Sequence, residues 1–333
     1  KLLKVTLPDS VTTIESRAFN DCSHLRSVDM GNGVKTIGTF AFSGCNELTS
    51  ITLSENLTEI GESAFNQCSA LTELALPDSV ATIGNGVFAS CSKLKQVTLP
   101  NGLTSISESM FSDCSALTSV EIPDSVTSIE YRAFKNCSKL QQISLPDGLT
   151  TIGEGAFYSC SGLEQITFPE GLTSMGANAF YNCSGLVQVT LPNGLTSTGK
   201  EVFSSCSSLT SAEIPEGFTE LADGTFSNCG SLKDVKLPNS LQKIGGGAFQ
   251  NCDALTEITI PGNVTDICGS AFAKCDGLTS IVIPDSVTFI GDNIFNMCSK
   301  LEYIYLPNSV MSIENNAFYG CTALKFIAIP EMF

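Results

Sequence analysis

The sequence predicts an α/β solenoid of about fourteen similar coils. Each coil carries one strand that pairs in parallel with its neighbours, and a short helical or 3₁₀ turn on the opposite side. Three observations carry this expectation. A Phe-x-x-Cys-x-x-Leu signature recurs every 23 residues without an insertion, from Phe19, Cys22 and Leu25 to Phe318, Cys321 and Leu324. The segment opening at each leucine alternates apolar and polar residues. All thirteen prolines stand at one position of the repeat, directly after that segment.

The elements follow in order around one coil. In the segments closed by Val97 and Leu99, or by Ile281 and Ile283, every second residue is apolar, the signature of a half-buried strand. Proline then ends the strand, because it has no N–H for the ladder (Pro100, Pro123, Pro146, Pro284). Asp, Asn or Glu followed by Ser or Gly, as after Pro123 and Pro192, is turn chemistry. An apolar pair three residues apart brings the chain inward again (Val126 and Ile129, Leu149 and Ile152). A small residue before the recurring Phe closes the coil (Ala133, Ala156). A run this short suits a single helical or 3₁₀ turn.

The length of 333 residues would suggest two domains, but the unbroken period reads as one continuous solenoid over residues 1–333. The chain opens inside a strand (Leu2, Val5, Leu7) and stops at Pro330-Glu331-Met332-Phe333. Solenoids need polar terminal caps, so the sequence reads as an uncapped piece of a longer protein. It holds no apolar stretch long enough to span a bilayer, so this segment is not expected to insert in a membrane. No signal peptide is visible at Lys1.

The formal charge of −17 argues against nucleic-acid partners and against anionic membrane surfaces. Many carboxylates form a column after the proline: Asp9, Asp78, Asp124, Asp147, Glu170, Glu216 and Asp285. Turn capping and solubility explain them. A column of calcium ligands is the alternative, weakened where Asn101, Asn193, Asn239, Gly262 or Asn308 takes the place of the acid.

Fifteen cysteines invite a disulfide reading. Residues in one register on successive coils stand about 4.8 Å apart with parallel Cβ vectors, whereas a disulfide wants about 3.8 Å and converging ones. The ladder cysteines are therefore expected as buried free thiols, small apolar groups with weak S–H donors. A single-file column does not offer zinc its converging ligands. Cys268 stands outside the ladder, where most coils have Gly, and is expected to be partly exposed: a stray thiol or a reactive one. His24 is the lone histidine and reads as a solvated loop residue. Ser-His and Cys-His pairs therefore have no other candidate, no phosphate-cradling loop is visible, and no enzyme, cofactor or metal is expected. Sequons at Asn56, Asn136, Asn182 and Asn263 read as chance matches in a Ser/Thr-rich repeat.

The consensus Leu-x-x-Ile-x-Leu-Pro-Asp-Ser-Val-Thr-Ser-Ile-Gly-x-x-Ala-Phe-x-x-Cys-Ser-x-Leu resembles the 23-residue leucine-rich repeat of the BspA-like type over essentially the whole chain. The resemblance implies a right-handed leucine-rich-repeat superhelix with its parallel sheet on one, concave, face and short turns and loops on the other. It also implies cell-surface or secreted proteins engaged in adhesion or host contact. The familiar Asn/Cys slot after the strand holds Gly33, Asn56 or Ser79 here.

The outward strand positions over most of the chain are small or polar, as at Ser50 and Thr52, Gln96 and Thr98, Ser119 and Glu121, or Gln142 and Ser144. Near the C-terminus they become Val282, Tyr303, Tyr305, Phe326 and Ala328. An aromatic cluster on a polar sheet is where a partner could dock, and Val282, Tyr303, Tyr305 and Phe326 are the candidate binding residues. The alternative is a C-terminal continuation that covers them. The expected function is a non-catalytic surface recognition or adhesion module that binds protein or glycan. A rigid spacer without a ligand of its own is the alternative. One stretch departs from consensus: Thr198 and Ala212 replace inward aliphatics and Phe218 an inward Val or Leu, so residues 195–225 are expected to be the least stable.

Overall fold

The structure, a computed structural model, describes residues 1–328; the terminal Pro330-Glu331-Met332-Phe333 lies outside the described residues. The chain forms two compact units, Lys1–Gly171 and Leu172–Phe333. Each is a stack of coils in which residues 23 apart in sequence face one another in parallel strands.

In the first unit, strands Lys4–Thr6, Ser27–Asp29 and Ser50–Thr52 form one ladder and Glu73–Ala75 with Gln96–Thr98 another. Farther on, Glu121 and Ser144 keep a single parallel bridge in the same register. In the second unit, Gln188–Thr190, Ser211–Glu213 and Asp234–Lys236 pair, as do Ser280–Val282, Tyr303–Tyr305 and Phe326–Ala328. A second row of two-residue strands ends at the inward apolar residue of most coils, as in Thr36–Ile37 and Ser128–Ile129 of the first unit and Lys243–Ile244 of the second. The sequence reading foresaw one strand per coil; two paired residues are too short to show as a period. Between the rows the expected turn is present: the Val80 N–H donates to the Pro77 carbonyl at 3.0 Å, and Leu149 to Pro146 at 3.0 Å.

The outer side differs from expectation. No helix, α or 3₁₀, occurs among the described residues. The residues two before and two after each recurring Phe take positive φ, as at Ser63 (φ 53°) and Gln67 (φ 60°) around Phe65. At most three right-handed residues can then follow one another between these positions, so no helix propagates. The reason lies in the stack. Alternate N–H groups point out of the coil and donate to the next one: Ser63 to the Asn85 carbonyl at 2.8 Å, Phe65 to Val87 at 3.0 Å, Gln67 to Ala89 at 2.8 Å. The intervening N–H groups close three-residue turns within the coil, Asn66 to Ser63 at 3.1 Å and Cys68 to Phe65 at 3.2 Å. A helix would keep these bonds inside one coil and leave the stacking face without a ladder.

The core lies between the strand rows and this outer arc. Phe rings stack parallel along the first unit from Phe19 to Phe157 with centroids 5.1–5.9 Å apart. They do so again from Phe180 to Phe318 in the second, at 5.4–5.9 Å. The ladder cysteines are free, as expected. Twelve of the ladder Sγ atoms donate to the Phe carbonyl of the preceding coil, for example Cys137 to Phe111 at 3.1 Å and Cys252 to Phe226 at 3.2 Å. Burial pushes the thiols of Cys45, Cys91, Cys229 and Cys298 up to about 12. Little thiolate therefore forms at neutral pH.

One coil of the second unit is irregular. Ser174–Met175 and Glu220–Leu221 are second-row strands, but no strand forms at Thr198 between them. The Thr198 hydroxyl is buried with no hydrogen-bond partner among the described residues. Ala212 and Phe218 are both buried, the small residue and the large one on a single coil.

Candidate recognition face

Along most strands of the first row the middle residue faces the core and its two neighbours face outward; Ile327, in the last described strand, is itself exposed. Val97 is buried between exposed Gln96 and Thr98, and Ile304 between exposed Tyr303 and Tyr305. Parallel pairing then sets outward residues side by side: Ser280 beside Tyr303, Val282 beside Tyr305, Tyr303 beside Phe326. Val282 and Phe326 are each 59% exposed, Tyr303 39% and Tyr305 38%. All four candidate residues are therefore solvent-facing and on adjoining strands.

Lys325 joins this group. Its Nζ lies 2.9 Å from Glu302 Oε2 and 6.0 Å from the centre of the Tyr303 ring. The Glu302 carboxylate raises the Lys325 pKa, so the cation over the ring is kept charged. Beyond Val282, strand pairing lapses at residues 257–259, and two hollows open there. One, of about 350 Å³, is lined by Asp234, Glu257, Thr259 and Ser280 among others. The other, of about 510 Å³, is lined by Ile258, Ile260, Val282, Ile283 and Pro284 together with Thr259 and Asp285. The sequence reading missed this second hollow. Its signal was Gly262 in a column of larger polar residues: a Cβ added there would meet nothing within 4 Å. In the first unit a hollow of about 450 Å³ is lined by Gln142, Ser144, Gln165 and Thr167 together with Leu145 and Phe168.

The other sequence candidates are placed as follows. In the turn-acid column, Asp9 Oδ1 accepts the Asn32 N–H at 2.8 Å and Asp78 Oδ1 the Asn101 N–H at 3.0 Å. Glu216 Oε1 accepts the Asn239 N–H at 3.1 Å, and this lowers the Glu216 pKa. Among the described residues no group of three or more His, Cys, Asp or Glu side chains could hold a metal ion. His24 Nδ1 is 2.8 Å from Glu47 Oε1, and Arg26 Nε donates to Glu47 Oε2 at 2.9 Å. The His24 bond first, then Arg26, holds the Glu47 carboxyl below its usual range. Cys268 is half-buried, and burial pushes its thiol up against the opposing pull of Lys243. The sequon amides are already engaged: Asn56 Nδ2 donates to the Asn32 carbonyl at 2.9 Å, Asn136 Nδ2 to Asp113 Oδ1 at 2.7 Å and Asn263 Nδ2 to the Asn239 carbonyl at 2.8 Å. Asn182 sits at φ 57° and has a partner of its own. No helix is long and apolar enough to cross a membrane among the described residues.

Coils of this length, with paired rows of short parallel strands and an inner file of Phe and Cys, define a leucine-rich-repeat solenoid. The chain belongs to the BspA type leucine rich repeat region family, whose model matches residues 1–118, 104–233 and 219–333. It is similar to a leucine-rich repeat protein from Bacteroides ovatus, at 33% identity over 92% of this chain and 79% of that one, with a TM-score of 0.87. It is also similar to a leucine rich cell surface protein from Faecalibacterium prausnitzii, at 28% identity over 97% of this chain and 86% of that one, with a TM-score of 0.52. The pneumococcal vaccine antigen PcpA shares the fold, at 19% identity over 100% of this chain and 90% of that one, with a TM-score of 0.58. None of the curated proteins matches the chain.

Proposed function

We propose that the chain is a non-catalytic recognition module of the cell surface that binds a protein or glycan through Val282, Tyr303, Tyr305 and Phe326. The observation that carries this reading is the exposure of four aliphatic or aromatic side chains on adjoining strands, in columns that elsewhere hold polar and charged residues and Ala75. The printed description of the Faecalibacterium relative as a cell surface protein supports the location. The spacer reading draws on the near-identical polar outward residues of the middle coils, such as Gln142, Gln165 and Gln188. The test is binding of the whole chain to an array of extracellular-matrix proteins and glycans. It is run beside a Tyr303→Ser, Tyr305→Ser, Phe326→Ser variant whose fold is checked by circular dichroism. Binding lost only in the variant supports recognition at this face; silence from both proteins supports the spacer.

A further inference from the structure

We propose that the turns at Pro100-Asn101-Gly102 and Pro192-Asn193-Gly194 are modification sites, where the asparagine loses its side-chain nitrogen as ammonia and becomes aspartate or isoaspartate. The chain holds four Asn-Gly pairs, at Asn32, Asn85, Asn101 and Asn193. A glycine nitrogen, with no Cβ beside it, is the least hindered backbone group that can reach the carboxamide carbon of the preceding side chain. Its attack forms an N–Cγ bond and breaks the Cγ–Nδ2 bond, and the N–H proton leaves with Nδ2 as ammonia. Water then opens the five-membered imide at one of its two carbonyls, giving aspartate or isoaspartate. Solvent water is the one co-reactant. All four pairs carry the same local chemistry, and the fold separates them.

Asn85-Gly86 is locked. The Gly86 N–H donates to the Glu108 carbonyl of the next coil at 2.8 Å, and the Asn85 carbonyl accepts the Ser63 N–H at 2.8 Å. Attack by this buried nitrogen would first break a rung of the ladder between coils. Asn32-Gly33 is crowded, because Gly33 packs so closely on the Asp9 carbonyl that a Cβ would not fit there. Asn101-Gly102 is open. Both residues are exposed, and a Cβ added at Gly102 would meet nothing within 4 Å. The Gly102 N–H makes no hydrogen bond among the described residues. The Asn101 amide is tethered from Nδ2, to the exposed Asp78 carboxylate at 3.2 and 3.3 Å, the long end of the hydrogen-bond range. Asn193 and Gly194 occupy the same place in the repeat, after a proline, and are likewise exposed. Conversion at both positions would make the turn-acid column continuous in sequence from Asp78 to Glu216.

The test is peptide mapping by mass spectrometry of the whole chain, incubated at mildly alkaline pH in water enriched in heavy oxygen. The same chain unfolded in urea is incubated beside it, and heavy oxygen marks the conversions that occur during the experiment. In urea all four Asn-Gly pairs are expected to convert. In the folded chain Asn101 and Asn193 are expected to convert at least about tenfold faster than Asn85, whose ladder bond must open first, with Asn32 also behind. Gly102→Ala places its Cβ in open space, so circular dichroism should report an unchanged fold. It hinders the attacking nitrogen, and conversion at Asn101 should slow about tenfold while Asn193 keeps its rate. Conversion of Asn85 as fast as Asn101 in the folded chain would overturn the proposal. So would a folded chain that stays intact at Asn101 and Asn193 while the unfolded one converts. A rate at Asn101 indifferent to Gly102→Ala would equally overturn it, since the glycine nitrogen would then not be the attacking group.

Discussion

Strands Gln96–Thr98 and Tyr303–Tyr305 occupy the same register of the repeat and are built alike inside. Each buries a β-branched residue, Val97 or Ile304, above a file of stacked Phe rings. Each is followed by a leucine and a proline that end the strand, Leu99 and Pro100 or Leu306 and Pro307. Outside they share nothing: Gln and Thr in one, two tyrosines in the other. The fold constrains the inward half of the repeat and leaves the outward half open, so whatever distinguishes this chain from a bare stack is written in the outward columns.

The largest way to break that comparison is to strike the shared core. Phe134 stacks on Phe111 at 5.3 Å and on Phe157 at 5.2 Å and is fully buried. Phe134→Ala is expected to cost about 4 kcal/mol, whereas Gln142→Ala, on the exposed face of the next coil, should stay within about 0.5 kcal/mol. Chemical denaturation of the two variants checks this, and similar losses in both would mean that the polar face holds the stack together. A smaller effect, of opposite sign, is expected where the core departs from its own rule. Thr198→Val removes a buried hydroxyl that finds no partner among the described residues, at nearly constant volume. It should stabilise the chain by about 1–2 kcal/mol in the same assay. A loss of stability would show that the hydroxyl is hydrated in solution.

Much of this was legible in the sequence because stacking repeats every requirement once per coil. The Phe, Cys and Leu files, the strand and its terminating proline, and the free state of the ladder thiols all follow from the period and the spacing between coils. The irregular coil at Thr198 was legible as a broken inward column. The positive-φ pair around each Phe was not. It falls on Arg17, Phe40, Gln67, Lys274 and Met297 as readily as on glycine. Bonds between coils select that conformation, and the local residue type does not announce it. The hollow at Ile258 and Asp285 escaped for a related reason, since it arises where strand pairing lapses and a single residue, Gly262, marks it in the sequence.

The claim that recognition resides in the aromatic outward columns is tested most directly by amide hydrogen exchange on the whole chain. The exchange is followed with and without the strongest ligand from the matrix array. The account predicts slowed exchange on binding at strands Ser280–Val282 and Tyr303–Tyr305, with no change at Gln96–Thr98. Protection confined to the polar strands of the first unit would contradict it.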